Sequence, residues 1–358
     1  MKKSAIFFTA IFFSVFAAAA VEPELEQAEA AEPSPVEETT DGAKSSAWKF
    51  EIETRFGARV GVYDEIVWAS RKIDGERYKR SELNYELTPA FYVGFDVSAS
   101  YKRFELKLAH KVFFSQECGT LTDSDWQNDV FCSNGDIYTQ TDWSEHKLFL
   151  SSNYGGFAGF DIEAQGSYKF YPAEFLTLAP LVSFNAQHMG FEAKGGVGRY
   201  GLYDASKRRI ASYCDPVSSM VSIFEDKPVV RYDVFNLFLW TGVRAEFKIN
   251  SWLNVNLASE IAPVSLFFDF DQHLSNDRDF KEFAFSAFYA FRQTIKTEFK
   301  IKKNLSICQT CVFLFTGECE GSMYYKQSSE DSYSKLMNNT GGGQTIFLDL
   351  ELSAKIKW

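Results

Sequence analysis

The chain has 358 residues, 46% hydrophobic and 17% aromatic, with 37 basic against 48 acidic side chains and a net charge of −11. This length supports a barrel or core of roughly 200 to 300 residues and excludes a peptide-sized disulfide scaffold. The apolar residues are dispersed rather than gathered into spans of about 20, which argues against a polytopic helical membrane protein. The acidic balance excludes a nucleic-acid-binding domain, which needs basic patches to release counterions, and favours cationic partners.

Residues 1–20 have the form of a secretory signal: Lys2 and Lys3, an apolar stretch from Ala5 to Phe16, and Ala18-Ala19-Ala20 as a small-residue cleavage site. Residues 21–46 set eight acids against the single Lys44. Such a segment cannot bury enough apolar area to offset its ordering entropy, and it is expected to be a disordered leader.

From residue 47 to 358 the pattern has period two. About ten strands are expected: 47–70, 75–99, 101–116, 143–170, 173–203, 228–249, 251–272, 278–301, 304–326 and 342–358. Phe160, Ile162, Ala164 and Tyr168 alternate with Asp161, Glu163, Gln165 and Ser167; Ile295 and Phe299 stand against Arg292, Lys296, Glu298 and Lys300. The last strand is the clearest, with Ile346, Leu348, Leu350, Leu352, Ala354, Ile356 and Trp358 on one face and Phe347, Asp349, Glu351, Ser353, Lys355 and Lys357 on the other. One face meets something apolar and the other something wet, as in a barrel with lipid outside and a hydrated, ion-paired lumen.

Tight turns are expected near Ser100, Pro172, Asn250 and Lys303, with longer or more polar joins around 71–74, 117–142, 204–227, 273–277 and 327–341. Several strands exceed the 9 to 11 residues or so that cross a bilayer. The fold class expected is therefore all-β: a ten-stranded antiparallel transmembrane β-barrel extending above the outer membrane.

Two acidic motifs fall at the outer end. Asp123-Ser124-Asp125-Trp126 is placed in the long second outer loop, and Asp269-Phe270-Asp271-Gln272-His273 ends the seventh strand. Residues two apart in extended chain share a face, so Asp123 pairs with Asp125, while Asp269, Asp271 and His273 align. Ring closure sets the two groups on opposed walls. A His held by a carboxylate can take a proton from water, and a facing acid pair can fix that water, which together describe a hydrolase without a Ser or Cys nucleophile.

In these residues the sequence resembles the omptin family of outer-membrane aspartyl/histidine endoproteases. The resemblance is carried by Leu121-Thr122-Asp123-Ser124-Asp125-Trp126, Thr141-Asp142 and His146, Phe191-Glu192-Ala193-Lys194-Gly195-Gly196, and Asp269 to His273, in the family's order. It implies a water activated by Asp271 and His273 opposite Asp123 and Asp125, and cleavage at or between basic residues. It further implies that Glu65 and Asp269 recognise the basic side chain before the cut and that Asp142 serves the residue after it. The partners implied are cationic peptides, proteins with exposed basic residues, and outer-membrane lipid, with the site facing outside. Lipopolysaccharide as an activator stays open, because Phe184, Ala186 and His188 replace the family's polar and Arg pattern on the fifth strand. Phe268 and Phe270, alternating with the acids, are a second departure.

All six cysteines belong to the exported part, and fifteen complete pairings are open to them. Cys118 and Cys132 bracket Asp123 and Asp125, and their closure would constrain that loop by about 3 kcal/mol. Cys308-Gln309-Thr310-Cys311 has metal-pair spacing, but residues three apart in a strand face opposite sides. No metal is expected, with a cation bridging Asp123, Asp125, Asp271 and His273 as the rival. The leading function is an endopeptidase; the alternatives are an adhesin or surface-binding barrel and, third, a porin, against which a lumen of paired charges argues.

Overall fold

The computed structural model describes residues 48–70, 75, 77–127, 130–131, 137–138, 141–152, 159–200 and 220–358. The expected signal and leader, Cys132, Cys214 and the side chains of Asp142 and His146 lie outside the described residues.

Seventeen strands and no helix occur among the described residues: β1 Lys49–Ser70, β2 Arg77–Tyr101, β3 Phe104–Phe113, β4 Gln116–Gln127, β5 Val130–Phe131, β6 Ile137–Tyr138, β7 Thr141–Ser152, β8 Gly159–Tyr168, β9 Phe170–Ala173, β10 Leu176–Tyr200, β11 Met220–Lys248, β12 Leu253–His273, β13 Arg278–Ser286, β14 Ala290–Lys302, β15 Leu305–Thr316, β16 Gly321–Gln327 and β17 Ser334–Lys357. All pair antiparallel. Taking β3 with β4, β7 with β8, β13 with β14 and β15 with β16 as single walls, and setting aside the β5–β6 ribbon and short β9, ten walls follow one another in sequence order, and β17 returns to pair with β1. The sheet closes on itself, so no wall is left with an unpaired edge.

The two faces differ as the alternation requires. Leu352 is 62% exposed and Trp358 62%, while Glu351 and Ser353, on either side of Leu352, are 4% and 5% exposed. Inside, Arg59 pairs with Asp349 at 2.7 Å, Lys111 reaches Asp349 and Glu351 at 2.8 Å, and Arg292 on β14 crosses to Glu163 on β8 at 2.6 Å. Charges removed from bulk water are tolerable only when so paired, and removing one partner of a buried pair costs about 3–5 kcal/mol. Arg59–Asp349 links the neighbouring walls β1 and β17, while the Lys111 and Arg292 pairs reach across the lumen between walls that do not adjoin.

Several walls are longer or more divided than the pattern suggests. The third does not end at 116 but breaks at 114–115 and continues as β4; the fourth is β7 and β8 rather than one strand; β11 starts at Met220 and β17 at Ser334. Much of the added length is rich in Ser, Thr, Asn, Asp and Gly, as in Gln116–Gln127 and the first ten residues of β17, where alternation of apolar and polar residues is weak.

Two prolines change the phase of their strands. In β2 the register with β1 slips between Arg59–Ala90 and Gly61–Leu87, around Thr88-Pro89. In β12 it slips against β11 between Leu239–Val264 and Thr241–Ile261, around Ala262-Pro263. Proline has no N–H to give the ladder, and an extra residue in one strand is a bulge. Below these points Ala90, Tyr92, Glu260 and Ala262 face inward; above them Leu83, Tyr85, Leu87, Ser265, Phe267, Asp269 and Asp271 do.

Candidate active site

Asp123 and Asp125 stand on β4, a correction to their expected place in a loop. Their backbone is paired on both sides: Leu83 opposes Asp123 and Ser81 opposes Asp125 on β2, while β7 sets His146 and Ser144 against the same two acids. The segment was disguised by its Thr, Ser and Asp content, which suits a strand whose inner face is wet. Gly119 starts it in a left-handed conformation (φ +150°), where a Cβ would lie 1.7 Å from the Glu86 carbonyl oxygen; only glycine fits there.

β12 brings Asp269, Asp271 and His273 along one face. These residues lie 16 to 20 positions from Leu253 at the strand's start, beyond the 9 to 11 or so that cross a bilayer. His273 Nε2 and Asp271 Oδ2 are 2.5 Å apart, and the ring meets Phe280 edge-on at 5.4 Å. Burial opposes the imidazolium, but Asp271, with Asp123 and Asp125 beyond it, more than offsets this and raises the His273 pKa to about 9. The charge of the acid pair on β4 therefore acts on the imidazole across the cleft.

Glu65 on β1 is 1% exposed and faces the same space. Asp269 accepts from the Tyr232 hydroxyl at 2.6 Å and from the Glu282 backbone N–H at 2.9 Å. Burial raises the Asp269 pKa to about 7, with the Tyr232 hydrogen bond opposing the shift and the neighbouring Asp271 adding to it. Beneath the acids lies a shelf of rings: Tyr85 stacks between Phe191 at 5.2 Å and Tyr232 at 4.9 Å, and the Tyr63 and Tyr232 hydroxyls are 2.5 Å apart. This shelf separates the acidic cleft from the ion-paired lumen.

Sequence reasoning missed Glu282 and the tyrosine shelf. Glu282 on β13 lies directly across from Asp269, because the hairpin that pairs His273 with Arg278 fixes that register. The signal was present: exposed Phe283 and Phe285 flank buried Ala284, which puts Glu282 in the inward phase. One oxygen from each of Glu65, Asp269 and Glu282 lies within 4.8 Å of the others, whereas the metal rival was placed on a different acid set.

The remaining candidates are dispersed. The Asp142 backbone pairs with Trp126 at a register shift in β4–β7. Trp126 receives the Lys79 ammonium over its ring at 5.5 Å. Cys118 is buried and belongs to the same core cluster as Leu121. Cys308 faces the lumen, fully buried, and Cys311 lies on the opposite face, half-buried. On the exterior, Phe184 is 53% exposed, and His188 bonds Asp233 at 2.9 Å while stacking on Phe235 at 4.3 Å. Phe268 stacks in turn on Phe235 at 4.8 Å, so the apolar residues alternating with the acids belong to an aromatic outer surface.

Residues 46–354 match the family described as the Omptin family. No curated protein matches the sequence. Among solved structures, the outer membrane protease OmpT from Escherichia coli superposes with a TM-score of 0.71, over 88% of this chain and 99% of that one, at 11% identity. The NanC porin gives a TM-score of 0.28 at 8% identity, over 85% and 98% of the two chains. Ail, the attachment invasion locus protein of Yersinia pestis, gives 0.21 at 9%, over 86% and 98%. The OmpT superposition is a likeness of fold.

Proposed function

The chain belongs to the Omptin family, and we propose that this outer-membrane β-barrel is an endopeptidase cutting cationic peptides and exposed basic segments of proteins, with its cleft facing outside. The observation that carries the reading is the short Asp271–His273 contact set within the field of Asp123 and Asp125.

In the working form His273 is neutral, Nε2–H donating to Asp271 and Nδ1 open to accept. A water between the walls gives its proton to Nδ1 as its oxygen attacks the peptide carbonyl carbon. Asp123 and Asp125 hold that water from the opposite side, and their negative charge, with that of Asp271, stabilises the imidazolium as it forms. The imidazolium then returns the proton to the leaving amine as the C–N bond breaks. Glu65 and Asp269 take the basic side chain before the bond: charge-assisted hydrogen bonds favour a cationic guest, and a neutral one leaves their carboxylates unpaired. Asp142 serves the residue after the bond.

A quenched-peptide panel varying Arg, Lys and neutral residues on both sides of the bond tests this with refolded barrel. Wild type should cut only basic sites, and Asp125→Ala and His273→Ala should each lose about 100-fold or more. Absence of cleavage by folded wild-type protein would reject the proposal in favour of a binding role.

A further inference from the structure

Glu282 has no task in the mechanism above, yet its position is costly. It is 2% exposed, and neither of its carboxylate oxygens has a hydrogen-bond partner among the described residues; Glu65 Oε2 is likewise buried without one. Burying charge without a partner is unfavourable unless a ligand supplies the partner. Space for the carboxylate is provided by Gly341 on β17, where a Cβ would lie 1.7 Å from Glu282 Oε1.

We propose that Glu65, Asp269 and Glu282 form a three-point receptor for a primary ammonium, so that lysine is preferred over arginine before the scissile bond. The assignment of the receptor to that substrate position rests on the protease reading.

The spacing distinguishes the guests. Three acceptors within 4.8 Å of one another can all be reached by one nitrogen at about 2.8 Å, the length of an N⁺–H···O⁻ bond, and an ammonium has three N–H donors to direct at them. A guanidinium is planar and spreads its donors over three nitrogens; acceptors placed one to each nitrogen stand roughly 7 Å apart, wider than this cluster. Arginine can engage only part of the set and leaves a carboxylate unpaired. A calcium ion takes six to eight oxygens at roughly 2.3–2.6 Å, and both Asp269 oxygens already accept hydrogen bonds, so this cluster would need several waters to complete that shell. The Tyr232 hydroxyl and the Glu282 backbone N–H hold Asp269 in place, so the tripod is supported from outside the guest.

Two measurements test the receptor. The first compares kcat/KM for two peptides differing only in Lys or Arg before the bond. Wild type should favour Lys about tenfold, and Glu282→Gln should bring the ratio to about one. The second uses His273→Ala barrel, silent in cleavage, titrated calorimetrically with butylammonium, propylguanidinium and calcium alone. Butylammonium should bind at least tenfold more tightly than propylguanidinium, and adding Glu282→Gln should remove that margin. If Glu282→Gln does not refold, Gly341→Ala, which crowds the same carboxylate while keeping its charge, replaces it. A Lys/Arg ratio unchanged by either variant, amine binding indifferent to them, or calcium binding more tightly than butylammonium would overturn the proposal. Glu282-dependent amine binding without cleavage of either peptide would reject the protease reading and leave the receptor standing.

Discussion

Tyr63 on β1 and Tyr232 on β11 belong to walls on opposite sides of the ring, and their hydroxyls meet at 2.5 Å across its interior. Tyr232 also donates to Asp269, so a chain of hydrogen bonds joins the barrel's cross-brace to the recognition acids. Tyr232→Phe removes the donor to Asp269 and the partner of Tyr63 while keeping the ring. Leaving those buried oxygens unsatisfied should cost about 1–3 kcal/mol, measured by urea titration of tryptophan fluorescence; an unchanged midpoint would mean that the contact contributes nothing.

Stability and activity should respond to His273 in opposite directions. Its folded pKa is raised to about 9 from an unfolded value near 6.5. The resulting stabilisation is fully present below the unfolded value and is lost as pH rises through the folded one. The neutral imidazole that takes the water's proton appears over that same interval. kcat/KM should therefore climb toward pH 9 while the contribution of His273 to stability falls, and Asp271→Asn should move the activity limb to lower pH. A profile that is flat from pH 6 to 9 would contradict the assignment of His273 as base.

The recognition acids predict a further pH effect. Burial, reinforced by repulsion from Asp269 and Asp271, raises the pKa of the Glu282 carboxyl, and Asp269 titrates near 7. A carboxyl whose folded pKa exceeds its unfolded one costs no stability below the unfolded value, near 4, and costs progressively more as pH rises toward the folded value. Glu282→Gln should therefore stabilise the guest-free barrel at pH 8 and leave it nearly unchanged at pH 4. Equal effects at both pH values would show that packing rather than charge dominates.

Insertion of one alanine after Val264 should abolish activity while sparing the barrel below it. The bulge at Pro263 already sets Asp269 and Asp271 inward, and a residue added beyond it turns Asp269, Asp271 and His273 toward the outside, since a one-residue slip exchanges the two faces of a strand. Circular dichroism should retain the β signal, with peptide cleavage lost. Retained cleavage would mean that the strand takes up the added residue in a wider bulge.

The parts legible in the sequence are those where the environment imposes a pattern. The lower strands alternate because lipid lies on one side and paired charge on the other, so the faces of Ile346 to Trp358 were readable residue by residue. Around the site the inner face mixes buried Leu83, Tyr85 and Leu121 with Asp123, so the alternation of apolar and polar residues is blurred. There the polar run of β4 passed for a loop, and the pairing of Asp123 with Leu83 and His146 was hidden. The phase changes at Pro89 and Pro263 were readable only as prolines within strands. Glu282 needed long-range information as well: its inward phase was visible, but its meeting with Glu65 depends on β13 and β1 closing around β17, a contact between residues far apart in the chain.

The central claim is best tested by mass-spectrometric mapping of the cuts made in a proteome-derived peptide library by refolded barrel and by its His273→Ala variant. The account predicts cuts confined to bonds preceded by a basic residue, lysine foremost, and their disappearance in the variant. Cuts without basic preference, or a basic-site pattern surviving in the variant at wild-type intensity, would contradict it.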